Sequence, residues 1–153
     1  RFLTLTKGTG VINRIFHGYG KFEGEMDGRK NGALISMANG KAVAFAIFNL
    51  QARGEMFVTH NDPVYEGMIV GLAPKPGDMI INVMKGKQLT NMRTQGTDEN
   101  VVLTPVRQMS IAEQLSMLNT DEALEITPKS LRLRKAILNP TERKKNEKSG
   151  TPL

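Results

Sequence analysis

The sequence contains no cysteine and no tryptophan. Without thiols the chain can form neither a disulfide scaffold nor a thiolate metal site, and the absence fits a reducing cytoplasm. No apolar stretch approaches the roughly 18 residues that a membrane-spanning helix needs, and no basic segment leads into a long apolar run as in a signal peptide. We therefore expect a cytoplasmic protein of 153 residues with no membrane partner.

Groups that could carry out catalysis are also scarce. His17 and His60 are the two histidines, and neither is paired with a cysteine or a nearby serine. No segment gathers the histidine and carboxylate groups that a metal ion needs. A phosphate-binding loop ending at Gly40 and Lys41 would need glycine in place of Ile35 and serine or threonine in place of Ala42. We predict no catalytic residue, metal ligand, cofactor or small-molecule substrate for this chain.

Positive charge is concentrated in two segments, although the formal net charge is only +6. Residues 129–148 contain eight basic side chains against two acidic ones, and residues 85–96 contain three basic side chains and no acidic one. The remainder of the chain is mildly acidic. Such segregation is typical of a protein that binds a polyanion. A basic tail that only keeps the chain soluble is the alternative interpretation.

A long polar connection over residues 84–100 is the most informative stretch. It separates two predicted strands, 79–83 and 101–103, and a compact domain that keeps such a loop usually uses it. Neither basic segment contains an aromatic residue, which argues against stacking on unpaired bases. The chemistry favours contact with the phosphates and 2′-hydroxyls of a structured RNA through Lys85, Lys87, Arg93, Arg132 and Arg134. A loop and a strand face that are merely solvated remain alternatives.

Hydrophobic patterns and turn signals predict mainly strands. Residues 33–37 and 41–45 form a hairpin around Asn39 and Gly40. A helix over 44–53 and then strands over 55–59, 67–71 and 79–83 follow along the chain.

Helices and one further hairpin are predicted towards the end of the chain. Ser110 and Glu113 have the spacing of a capping box, and Ile111, Leu115 and Leu118 would lay one apolar stripe on the sheet. Residues 123–127 and 131–137 read as paired strands, the second with both arginines on its outer face. A lysine-rich helix begins at Pro140.

The fold class that these elements predict is α+β and mainly β. We expect an antiparallel sheet or small β-barrel core with one or two packed helices and a long basic loop. Residues 1–22, with a strand over 11–16, look like the end of a preceding domain, and 23–148 form the main domain after a shift in composition at 23–32. Residues 149–153 are predicted to be a disordered tail.

Several strings resemble known translational GTPases. Residues 8–19 resemble the last strand of the fifth domain of elongation-factor-G-like proteins. The later strings are similar to the C-terminal domain peculiar to the TypA/BipA family: NLQARG at 49–54, VYEGMIVG at 64–71, LTNMR at 89–93 and TPKSLRLRK at 127–135.

The resemblance implies the C-terminal region of a cytoplasmic, ribosome-binding GTPase linked to large-subunit assembly and to growth under stress. It implies that GTP and Mg²⁺ belong to parts of the parent protein outside this fragment, which would itself not be an enzyme. It also implies contact of the basic loop with large-subunit rRNA and the acceptor arm of A-site tRNA. Carried onto this chain, it places Lys85, Lys87, Asn91 and Arg93 in that loop, whereas Gly86 and Gln88 stand where the family often has lysine. Lys129 and Lys135 of the basic C-terminal segment complete the RNA-binding candidates.

A second function class stays open from the sequence. A protein-interaction module whose basic tail contacts an acidic protein would show the same charge distribution. The two hypotheses differ in whether binding survives removal of RNA.

Overall fold

A computed structural model describes residue 2 and residues 6–21, 29–86 and 102–149. Within these ranges the chain forms eight strands and three helices. In chain order they are β1 (Ala33–Ser36), β2 (Gly40–Lys41), α1 (Ala44–Gln51), β3 (Glu55–Met56), β4 (Pro63–Val64), β5 (Ile69–Leu72), β6 (Met79–Ile81), α2 (Ile111–Met117), β7 (Glu122–Ile126), β8 (Leu131–Lys135) and α3 (Pro140–Ser149).

The main sheet has four strands in the order β3-β5-β1-β6. Strand β1 pairs antiparallel with β5 and parallel with β6. The predicted hairpin between residues 33–37 and 41–45 is therefore wrong, because both edges of β1 are already occupied. The short β2 pairs instead with β4, through Gly40 opposite Val64.

The two faces of the main sheet bury separate clusters, because successive strand residues point to opposite sides. Leu34 of β1 belongs to a cluster that includes Ile47 of α1. Ile35, the next residue, belongs to a second cluster with Leu133 of β8. Helix α1 thus covers one face of the sheet and the β7–β8 hairpin covers the other, so the central strands β1 and β5 are buried on both faces.

Helix α2 confirms the capping box but not the apolar stripe. The Ser110 hydroxyl accepts from the Glu113 amide at 3.3 Å, and the Ser110 amide donates to the Glu113 carboxylate at 2.9 Å. Ile111 and Leu115 are 48% and 54% exposed. The helix has only seven residues, and its contact with the second cluster comes from Met109 and Leu118, which flank it.

The β7–β8 hairpin is confirmed, with Leu124 opposite Leu133. It joins the main sheet where the Lys135 amide donates to the Gly67 carbonyl oxygen at 2.9 Å and Met68 forms a bridge with Arg134. Gly67 has φ +82°, and a Cβ on it would lie 2.7 Å from Cα of Leu138. Glycine is needed there for both backbone conformation and close approach.

The fold class is confirmed as α+β and mainly β. The two-stranded sheets β2–β4 and β7–β8 stand apart from the main sheet, so the described residues form no closed barrel. Helices were correctly predicted near residue 44 and at Pro140.

Two predicted strands are absent from the described residues. Residues 11–16 have no regular structure, and Ile15 is 94% exposed. Residues 102 and 103 are likewise outside any strand, although Leu103 packs on the first cluster. A strand needs a hydrogen-bonding neighbour, and neither segment pairs with a strand within the described ranges. The proposed boundary at 22–23 and residues 150–153 lie outside the described residues, so the domain division stays a prediction.

Candidate nucleic-acid interface

Lys85 is exposed just beyond β6. It follows a turn in which the Asn82 side-chain oxygen accepts from the Met84 amide at 2.9 Å. Lys85 forms no ion pair with another described residue. Lys87, Asn91 and Arg93 lie outside the described residues, so their part in the basic loop stays a prediction.

Arg132 and Arg134 lie on the outer face of β8, as the alternation predicted. Arg132 is opposite Glu125 of β7 and pairs with its carboxylate at 3.3 Å. Arg134 donates to the carbonyl oxygen of Lys135 at 3.2 Å. Both side chains are half-buried, so this face presents two cations and one partly neutralising carboxylate.

Tyr65 joins this face by donating its hydroxyl to Glu125. Burial, the hydrogen bond to Glu125 and the charge of that carboxylate raise the pKa of Tyr65 to about 12, although Arg134 and Arg132 oppose the shift. The phenol therefore stays protonated and remains a donor at neutral pH.

Lys129 is exposed in the turn between β7 and β8. With Arg132 it lines a cleft of about 820 Å³ between the hairpin, residues 106–109 and the segment after β3. Gln114 also lines this cleft, and its side-chain oxygen is the one buried polar side-chain atom in the described part without a hydrogen-bond partner.

Lys135 lies on the opposite face of β8, with Leu131 and Leu133. Its side chain is only 2% exposed and its ammonium pairs with Asp78, with Asp121 at 2.7 Å and with Glu122 at 3.0 Å. The charge of Lys135 is therefore neutralised within the fold, in contrast to the exposed lysines. The period-two alternation that placed the arginines, continued by one residue, puts Lys135 on the leucine side.

Arg29 completes a charge cluster of Arg29, Asp78, Asp121, Glu122 and Lys135, in which the side chains of Arg29, Glu122 and Lys135 are buried and those of Asp78 and Asp121 are 35% and 45% exposed. Its guanidinium holds the Glu122 carboxylate at 2.7 and 3.2 Å. The Asp78 carboxylate also accepts from the Ala33 amide at 2.7 Å. The cluster ties β7 and β8 to the start of β1 and to the residue before β6.

The pKa values of the cluster show that its charges are mutually stabilised. Burial alone would lower the pKa of Lys135, but hydrogen bonds to Asp121, Asp78 and Glu122 raise it. Burial alone would raise the pKa of Asp78, but the Ala33 amide and Lys135 lower it. Both groups are therefore charged at neutral pH.

Helix α3 has no buried residue and contains Arg143, Lys144, Lys145 and Lys148. The Asn139 side-chain oxygen caps it by accepting from the Thr141 amide at 2.8 Å. Arg143 donates to the carbonyl oxygens of Ile137 and Leu138. The three lysines form no ion pair with another described residue.

Other kinds of site receive no support from the described residues. No group of three or more histidine or acidic side chains there could hold a metal ion. The three carboxylates that do converge are occupied by the Lys135 ammonium. No helix in the described ranges is both long and apolar enough to cross a membrane.

Sequence reasoning did not identify Asn49, Arg53 or Asn82 as candidates, although they surround Lys85. All four line a cleft of about 460 Å³ between α1 and β6. The string NLQARG at 49–54, which resembles the TypA/BipA family, contains Asn49 and Arg53 and is the one sequence signal that points to any of the three missed residues. The grouping depends on α1 packing beside β6, which local sequence patterns do not encode.

Comparison with known proteins agrees with the resemblance. The family model described as the TypA/BipA C-terminal domain matches residues 31–140. A relative from Buchnera aphidicola (Schizaphis graminum), named "Large ribosomal subunit assembly factor BipA", is 48% identical over 99% of this chain. Relatives of the same name from Salmonella typhimurium and Escherichia coli K12 are each 46% identical over 94% of it.

The chain spans about a quarter of the length of these relatives, 25% of the first and 24% of the other two. The family model covers most of the chain. The chain therefore belongs to the TypA/BipA C-terminal domain family.

Proposed function

We propose that this chain is the ribosome-docking region of a longer translational GTPase that acts in large-subunit assembly, and that it docks by binding RNA phosphates. The relatives are named as large ribosomal subunit assembly factors, and a factor acting on that particle meets a surface rich in phosphate. The chain spans a quarter of their length, so the activity belongs to the longer protein.

Unpaired cations on the described surface carry the proposal. Lys85, Lys129, Lys144, Lys145 and Lys148 are exposed and form no ion pair with another described residue, in contrast to Lys135. Placing such charges on a surface without partners stabilises the fold little. Binding a polyanion uses them, because each neutralised phosphate releases counterions.

Arg132 and Arg134 are the second group of proposed contacts. Glu125 neutralises part of their charge and holds Arg132 in place, which pre-orders a planar donor for a phosphate. We retain Lys87, Asn91 and Arg93 of the basic loop by the family resemblance. On the same resemblance we propose A-site rRNA and the tRNA acceptor arm as targets, the cytoplasm as location and stress adaptation as setting.

GTP and Mg²⁺ are proposed for other parts of the longer protein. The residues of this chain do not fit a GTP–Mg²⁺ site. Gly40 and Lys41 form strand β2, paired with β4, and not a phosphate-binding loop at the start of a helix. We therefore propose that this region contributes binding and no step of hydrolysis.

The test is the salt dependence of binding between the labelled chain and purified large ribosomal subunits. Affinity should fall steeply between about 50 mM and 200 mM salt. Changing Lys144, Lys145 and Lys148 together to alanine should lower the slope of log K against log salt by about 2 to 3, because each phosphate contact contributes about 0.9.

A matched control changes three exposed lysines in the first part of the chain, Lys21, Lys30 and Lys41, to alanine. This variant loses the same net charge and should keep most of the slope. If the two triple variants lowered the salt slope equally, binding would depend only on net charge and not on the lysines of α3. Binding that persists after ribonuclease treatment would instead support the protein-interaction module.

A further inference from the structure

We propose that the cleft between α1 and β6 binds a single unstacked ribonucleotide of the docked RNA, with its phosphate at Arg53 and Lys85 and its base against Phe45. This inference rests on the proposed function and deepens it. The sequence argued against base stacking because neither basic segment contains an aromatic residue. The fold brings Phe45 of α1 into the same cleft as Lys85.

The charge of the cleft suits a phosphate. Arg53 follows the C-terminal end of α1, and Lys85 follows the turn after β6. Neither cation forms an ion pair within the described ranges, and no lining residue is acidic. An anion would therefore meet two positive charges without displacing a carboxylate.

The walls of the cleft suit a base. Ile80 of β6, an edge strand of the main sheet, lines the same cleft and is 47% exposed. Apolar surface of this kind beside a half-buried phenylalanine gives a base a stacking partner and a wall. The volume of about 460 Å³ lies within the range of small-ligand sites, roughly 300 to 1,000 Å³.

Two amides give the cleft both a donor and an acceptor for a base edge. Asn49 donates its side-chain nitrogen to the Phe45 carbonyl oxygen at 2.8 Å, which leaves its oxygen as an acceptor. Asn82 accepts from the Met84 amide at 2.9 Å, and no described residue accepts from its amide nitrogen. These backbone bonds fix the orientation of both side chains, so the recognition groups are pre-positioned.

The first test compares Phe45→Leu with Phe48→Leu. Both residues are on α1, but Phe48 is 49% exposed and does not line the cleft. Phe45→Leu should weaken binding to large ribosomal subunits about fivefold to tenfold without changing the salt slope, because stacking carries no charge. Phe48→Leu should change affinity by less than about twofold.

The second test separates the phosphate from the base. Arg53→Gln should lower the salt slope by about one, whereas Lys41→Gln should lower it less. An NMR titration of the chain with uridine monophosphate should shift the side-chain amides of Asn49 and Asn82. Inorganic phosphate should leave these two signals in place.

Each outcome decides one point. Equal affinities of Phe45→Leu and Phe48→Leu, with salt-dependent binding retained, overturn the nucleotide site and leave RNA docking standing. Equal shifts with phosphate and with the nucleotide overturn the base contact. If the chain fails to bind large subunits, the proposed function falls, and the titration then decides the cleft independently: absence of amide shifts overturns it as well.

Discussion

Arg134 and Lys135 are consecutive basic residues of β8, but their side chains lie on opposite faces of the strand and have different partners. The Lys135 side chain is 2% exposed and surrounded by three carboxylates. The Arg134 side chain is half-buried on the other face and bonds backbone carbonyl oxygens. The two residues carry the same charge and are neighbours in the sequence, so the side of the strand decides whether a cation serves the fold or is available to a ligand.

Strand β7 shows the same division. Glu122 lies in the charge cluster with its side chain 0% exposed, whereas Glu125 is 31% exposed beside Arg132. Buried pairs are costly to break because the remaining charge cannot return to water. Exposed pairs contribute little because water and salt already screen them. The comparison therefore predicts large stability effects on one face of the hairpin and small ones on the other.

The largest effect is expected for Lys135→Met. The change removes the cation from Glu122, which keeps its pair with Arg29, and from Asp78 and Asp121, whose side chains are 35% and 45% exposed. We therefore expect a loss of about 3 kcal/mol, the low end for breaking a buried pair. Urea denaturation followed by circular dichroism measures the free energy of unfolding. Arg134→Met is the matched control and should lose about 1 kcal/mol or less. Similar losses in both variants would contradict the division between the faces.

A smaller loss of stability is expected for Gly67→Ala. The Gly67 carbonyl oxygen accepts from the Lys135 amide and so connects β8 to the main sheet. The new Cβ would lie 2.7 Å from Cα of Leu138, at a backbone φ of +82°. The strained backbone alone should cost roughly 1 to 3 kcal/mol.

Gly86→Ala is the control for this substitution, because a Cβ there meets no atom within 4 Å. The same denaturation measurement should show little change. A Gly67→Ala protein as stable as the parent chain would mean that the junction adjusts without strain.

Acid should weaken the fold through Asp78. Its pKa is lowered from 3.8 in the folded chain, chiefly by the Ala33 amide and Lys135 against the opposing effect of burial. The unfolded chain therefore binds more protons as pH falls, so this contribution is present above pH 3.8 and is lost below it.

Unfolding free energies measured between neutral pH and pH 3 check this contribution. Asp78→Asn should be less stable at neutral pH but should lose less on acidification. Lys135 affects stability at high pH, because its pKa is raised in the folded chain. Its contribution to the free energy of unfolding is complete below its ordinary pKa of 10.5 and is lost as the pH rises above that value. An Asp78→Asn chain with an unchanged acid response would contradict the assignment.

The smallest stability effect is expected on the outer face. Arg132→Gln removes a partly exposed pair with Glu125 and should cost between about 0 and 1 kcal/mol. The same variant should lower the salt slope of binding to large subunits by about one if Arg132 contacts a phosphate. A large stability loss with unchanged binding would reverse the roles assigned to the two faces.

Local signals predicted part of this fold well. The Ser110 capping box, the β7–β8 hairpin and the helix beginning at Pro140 follow from spacings of a few residues. The pairing of β1 could not be predicted in this way, because its partners β5 and β6 lie far along the chain and compete with the nearby β2. Although Asn39 and Gly40 favour a hairpin turn, β1 pairs with β5 and β6, and β2 pairs with β4.

The candidate site divides similarly. The outward position of Arg132 and Arg134 follows from alternation, and the inward position of Lys135 follows from the same rule. Phe45 and Lys85 could not be grouped from the sequence, because their proximity depends on the packing of α1 beside β6. Composition therefore identified the charge of the surface but not the cleft within it.

The charge cluster around the buried Lys135 ammonium also selects the pairing of β8. A shift by one residue would turn Leu131 and Leu133 to water and take Lys135 away from Asp78, Asp121 and Glu122, since neighbouring strand residues face opposite sides. A purely apolar inner face would penalise such a slip only through lost burial. Three carboxylates that accept one ammonium at one position add a second, directional penalty, so the cluster distinguishes the correct alignment from its nearest competitor during folding.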